Sequence, residues 1–201
     1  MAILIFIVML LAVLYYRNYH GTTLVQSISN LQSYRVMAIG DKQHASDMIA
    51  HLDDFARSYI QNMKIKYGEV GNLDPLGYEL VQNLSARYKG GNSLSENPPL
   101  NNETSYTLNK GDYITLCLRQ KVPPYKLHSL EVLKYVFLHE LTHVAMSMSD
   151  PGHSSNFWKQ FKFILREATA QGMYVPIDYS AAHETYCGTE IKYNPYFDNN
   201  L

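Results

Sequence analysis

Apolar positions change their period several times along this chain, and each change marks an element. Ala2 to Tyr16 is an unbroken apolar run with no charge before Arg17. As a helix it would span roughly 22 to 24 Å, close to a thin bilayer core. It lacks the basic start and the small-x-small cleavage site of a signal peptide, so the pattern predicts an uncleaved single-pass transmembrane anchor. Tyr15, Tyr16, Tyr19 and Arg17 would form its interfacial collar. Positive charge follows the run, at Arg17, Arg35 and Lys42, which places the C-terminal domain on the cytosolic side. The expected organisation is an anchor over 1–19, a polar tether over 20–42 and a folded domain over 43–201.

Within that domain, Ala45, Met48, Ile49, Leu52, Phe55, Ala56, Tyr59, Ile60 and Met63 recur at helical spacing, predicting a long helix over 43–66. A second helix runs from Pro75 to about Tyr88, stopped by Gly90-Gly91, and residues 90–103 read as a polar loop. The period then shortens. Ser105 to Leu108, the turn Asn109-Lys110-Gly111-Asp112, and Tyr113 to Leu118 predict a β-hairpin. After Pro123-Pro124 the helical period returns: Ser129 can cap a helix whose buried stripe is Leu130, Leu133, Phe137, Leu141, Val144, Ala145 and Met148. Ser-Asp-Pro-Gly at 149–152 ends it. Ser154 or Ser155 caps one more helix, with Phe157, Phe161, Ile164, Leu165 and Ala168 inward and Gly172 at its end. From Met173 the tail is loop-rich and aromatic.

Composition narrows the function. The formal net charge is −1 over 201 residues, with Lys and Arg scattered, so no nucleic-acid partner is called for. Seventeen tyrosines suit both core and contact surface. The two cysteines, Cys117 and Cys187, lack metal-knuckle spacing and read as buried reduced thiols, a disulfide between them being the other choice.

The chemistry lies in His139-Glu140-Leu141-Thr142-His143. Two histidines four apart share one helix face and can reach one metal ion, and the glutamate beside the first is placed to act as base on a water. A catalytic zinc site keeps three protein ligands and an open position. His153, delivered by the turn, is the choice for the third, with Asp150 and Glu167 as oxygen-ligand rivals. His183 and Glu184 read as surface loop residues. Tyr179 or Tyr186 could donate to an oxyanion, although ordinary packing accounts for both. An edge strand of the hairpin could align an extended peptide across the site.

HELTH followed by His153-Ser-Ser-Asn-Phe157-Trp158 resembles the WLM and SprT-like zinc metallopeptidases. Ser105 to Gly111, Leu116 to Arg119, Tyr135 to Glu140, Asp178-Tyr179 and Tyr186-Cys187-Gly188 look more narrowly like the predicted metallopeptidases of large DNA viruses. The resemblance covers roughly residues 75–192. It implies a zincin-like α+β fold of helices on a small, mainly antiparallel sheet, with His139, His143 and His153 binding Zn2+ and Glu140 as general base. The expected function is a membrane-anchored, virus-encoded zinc metallopeptidase acting on a protein or peptide, held to a lipid bilayer through residues 2–16. The alternative is a minor capsid protein of the virion, linking capsid proteins to an internal membrane on an inherited peptidase fold.

Overall fold

The computed structural model describes residues 4–11, 13, 21–98, 103–150 and 152–201. A five-stranded sheet of order β1-β2-β3-β5-β4 is built from β1 (Thr22–Gln26), β2 (Ser33–Met37), β3 (Leu94–Glu96), β4 (Tyr106–Leu108) and β5 (Tyr113–Leu116). The outer pairs, β1 with β2 and β4 with β5, are antiparallel hairpins, whereas β2 with β3 and β3 with β5 are parallel. The sheet is therefore mixed, with most of its paired residues antiparallel, as expected. Each parallel step is a crossover, and the step from β2 to β3 carries α1 (Lys42–Tyr67) and α2 (Pro75–Arg87). The motif helix α3 (Leu130–Ala145) and α4 (Ser155–Ala170) follow β5, and β6 (Glu184–Tyr186) with β7 (Thr189–Ile191) make a separate hairpin in the tail.

The helical stripes pack as their spacing requires. Ile49, Leu52, Tyr59 and Met63 of α1 are fully buried, as are Leu133, Phe137, Leu141 and Val144 of α3. Each such side chain stabilises the fold by about 1.5–3 kcal/mol. Met148 departs from the expected stripe: α3 ends at Ala145 and Met148 is exposed.

Two buried polar hubs lock the sheet to the helices. Asp53 of α1, fully buried, accepts hydrogen bonds from Tyr34 Oη (2.9 Å), Tyr88 Oη (2.9 Å) and the Gly91 amide (2.7 Å), and pairs with Arg57. Gly90 lies against this hub with a φ of 61°, and a Cβ there would collide with Asp53 and Arg57. Buried Arg119 donates to Glu96 Oε1 (2.6 Å) and Asp41 Oδ2 (2.5 Å), while Glu96 Oε2 accepts from the Met37 amide (2.7 Å). Burial pushes the Glu96 carboxyl upward, and Arg119 opposes it.

Several expectations are corrected here. Among the described residues no helix is long and apolar enough to cross a membrane. Residues 4–11 and 13 are helical, and the rest of the expected anchor, its collar included, lies outside the described residues. The single-pass topology and cytosolic orientation fall with it, because an apolar run is necessary but not sufficient for a spanning helix. The tether over 20–42 instead contains β1 and β2, whose five-residue pairing joins the sheet. The polar loop over 90–103 contains β3, between β2 and β5. Its sequence Leu-Ser-Glu hides a strand because the inward Glu96 is polar and is satisfied by Arg119. Cys117 and Cys187 are joined in a disulfide, not reduced, since the fold brings their Cα atoms to 6.3 Å.

Candidate metal centre

Ser129 caps α3, its hydroxyl accepting from the Val132 amide, with Glu131 in the first turn. Ten residues on, His139 and His143 stand one turn apart on the face that lines the cleft, with Phe157 of the core beneath them. The chain leaves α3 in an extended conformation at Met146, turns at residues 148–149 and again at 152–153, and presents His153 immediately before Ser154. Ser154 caps α4 by accepting from the Phe157 amide at 3.2 Å, so the cap fixes the position of the preceding histidine.

The three Nε2 atoms form a triangle with edges of 3.3 Å (His139 to His143), 3.2 Å (His143 to His153) and 2.9 Å (His139 to His153). Neighbouring ligands in a tetrahedral zinc site with bonds of about 2.0 Å lie roughly 3.3 Å apart, so the triangle fits such an ion. Among the described residues this is the cluster able to hold a metal. Burial lowers His139 to about 3 and His143 to about 4, and lowers His153 as well, which keeps the imidazoles neutral, the form that ligates. Phe157 forms the floor, with ring centroids 4.8, 4.5 and 4.8 Å from His139, His143 and His153.

Glu140 reaches the sheet edge. It is buried, and its Oε2 accepts from Thr107 Oγ1 of β4 at 2.8 Å. Burial raises its pKa to about 7 against the opposing hydrogen bond from Thr107. The histidines and Glu140 line a cleft of about 740 Å³. Edge strand β4 and the turn after it form one wall, and Tyr186, Ile191, Lys192 and Tyr193 the other. Disulfide Cys117–Cys187 ties that second wall to the residue after β5.

The rival ligands are engaged elsewhere. Asp150 accepts from Asn156 Nδ2 at 2.7 Å, and Glu167 pairs with Lys66 at 2.8 Å. His183 is exposed and Glu184 begins β6. Tyr186 lines the cleft, but its hydroxyl is bonded to Ser105 Oγ at 2.6 Å. Tyr179 is buried against Tyr135 and does not line the cleft. Sequence reasoning missed Thr107, although the predicted hairpin already placed it mid-strand. Of the wall built by the tail it reached Tyr186 alone, because three-residue strands leave almost no periodic signal.

A family model, the WLM domain, matches residues 25–194. The chain belongs to the WLM family. This WLM protein is 32% identical over 197 residues to an uncharacterized protein of Acanthamoeba polyphaga mimivirus, covering 94% of this chain and 92% of that one. It is also similar to the crystal structure of Wss1 from Saccharomyces cerevisiae, at 22% identity and a TM-score of 0.35, covering 48% of this chain and 76% of that one. With the WLM domain comes a metallopeptidase-like architecture, and the matched span begins inside β1, so the first hairpin is part of it.

Proposed function

We propose that this WLM protein is a zinc-dependent, virus-encoded peptidase. The observation that carries the reading is the convergence of three neutral imidazoles on one point beside a buried glutamate. His139, His143 and His153 would hold the ion. Once bound, zinc supplies Lewis acidity toward a scissile carbonyl and its attacking water. The remaining work falls to the chain. Thr107 donates to Glu140 Oε2, which leaves Oε1 to take a proton from that water and later return it to the leaving amine. Among the described residues strand β4 pairs with β5 alone, and its other edge borders the cleft, so an extended peptide can add to it through main-chain hydrogen bonds. The mimivirus relative supports the viral origin.

The test is Glu140→Gln in the full chain. Wild type loaded with zinc should hydrolyse an unstructured protein substrate, and the variant should keep its metal while losing about 100-fold or more of the rate. A variant that cleaves as fast as wild type would remove Glu140 from the mechanism.

A further inference from the structure

The turn between β4 and β5 carries a residue that the peptidase reading leaves unused. Asn109, Lys110 and Gly111 have φ of 48°, 55° and 120°, three successive positive values. Asn adopts such backbone readily in a hairpin turn, but for Lys it is strained and persists only where the surroundings enforce it. They do: a Cβ on Gly111 would stand 2.9 Å from the Arg87 carbonyl oxygen and 3.1 Å from Val144 Cγ1. The turn is thereby seated on the last turn of α3, beside His143. Arg87 is itself held by the carbonyls of Val144 (3.1 Å) and Met146 (2.5 Å). A braced turn therefore delivers Lys110 to the cleft that His143, His153 and Glu140 line.

Its charge is left without a partner. Lys110 is half-buried, and among the described residues no carboxylate pairs with it. Lys192, the cation of the opposite wall, pairs with Glu190 at 2.6 Å. Asp150, the acidic group that acts on Lys110 from a distance, is bonded to Asn156. Glu140, the carboxylate of the cleft lining, is bonded to Thr107. Burial lowers the Lys110 pKa, with the like charge of Arg87 adding to it and Asp150 opposing it. A carboxylate entering the cleft would supply a counter-ion.

We propose that Lys110 is a specificity residue that pairs with a carboxylate of the bound peptide, so that the cleft selects acidic chains. The proposal deepens the peptidase reading and rests on it. The carboxylate is either an Asp or Glu side chain near the scissile bond or the peptide's own C-terminus.

Binding separates this from catalysis. Full-length, zinc-loaded protein carrying Glu140→Gln is titrated with fluorescein-labelled peptides of one sequence. These bear Glu or Gln at each position in turn, with free or amidated C-termini. Acidic peptides should bind about five- to tenfold tighter than their amide partners. The preference should vanish with Lys110→Met, survive Lys110→Arg and turn toward Lys-bearing peptides with Lys110→Glu. Dependence on the Glu position identifies the side chain, and dependence on amidation identifies the terminus. Equal binding of all peptides, no binding of any, or a preference that survives Lys110→Met overturns the proposal. So does a single-stranded oligonucleotide that displaces the peptide through Lys110, since the anion read would then be phosphate. Absent hydrolysis by wild type with the acidic preference intact counts against the peptidase reading alone.

Discussion

Thr107 and Glu140 show how one hydrogen bond can join a sheet edge to a reaction centre. The hydroxyl stands 2.8 Å from Oε2 and 3.4 Å from the Glu140 carbonyl oxygen, so it restrains both the carboxylate and the helix turn that bears it. Replacing it with an isosteric apolar group leaves a buried carboxylate oxygen without its donor. Thr107→Val should lower kcat about tenfold with KM within about twofold, because the lost contact orients the base and does not hold substrate. Thr107→Ser, which restores the donor, should recover most of the rate. A fall in kcat that Ser fails to rescue would assign the effect to packing of the β-branched side chain.

At the scale of elements, caps and short strands decide where the site residues stand. Ser154 closes the first turn of α4 and follows His153 directly, so Ser154→Ala should cost about 1 kcal/mol in denaturant unfolding and weaken zinc binding as well. Near the other end of the sheet, Asp47 of α1 accepts from Ser27 Oγ (2.6 Å) and the Ile28 amide (2.8 Å), tying the β1–β2 turn to the helix. Burial raises this carboxyl, yet the bonds from Ser27, Ile28 and Gln43 outweigh it and hold the pKa below the usual carboxylate value. A depressed folded pKa contributes stability that is complete above the unfolded value and is lost as pH falls through the folded one. Protection factors of the amides in residues 27–32, taken against the intrinsic exchange rate at each pH, should therefore fall below about pH 4, and Asp47→Asn should show the same loss of protection at neutral pH. The long elements are legible in the sequence because three or more turns of apolar periodicity leave little choice: α1 and α4 lie where the stripes put them, α3 does so short of Met148, and α2 lies where Pro75 and Gly90-Gly91 bound it. β3 is not, since it offers three residues and hides its polar member behind Arg119. β1 and β2 were passed over because exposed Leu24, Ile28 and Leu31 blur the alternation that the buried Tyr34 and Val36 would otherwise mark.

Across the whole molecule, the cleft is assembled from segments far apart in the chain, which is why its catalytic face could be read in advance and its opposite wall could not. HELTH and His153 lie within 15 residues of each other, whereas the wall of Tyr186 to Tyr193 reaches the sheet through tertiary packing, the Tyr186–Ser105 hydrogen bond and a disulfide closing 70 residues. Cross-linking a loop of that length stabilises the fold by about 4 kcal/mol in the chain-entropy account. Cys187→Ser should accordingly lower Tm by roughly 10 °C and loosen the β6–β7 hairpin first, visible as early proteolysis within residues 180–201. A melting point within about 2 °C of wild type would show that packing alone holds the wall. The account as a whole depends on three imidazoles sharing one ion, and X-ray absorption at the zinc edge of the full chain examines that without reference to turnover. One zinc per chain, with three imidazole nitrogens at about 2.0 Å falling to two in His153→Ala, is the predicted result; no stoichiometric zinc, or a shell in which His153→Ala changes nothing, would contradict it.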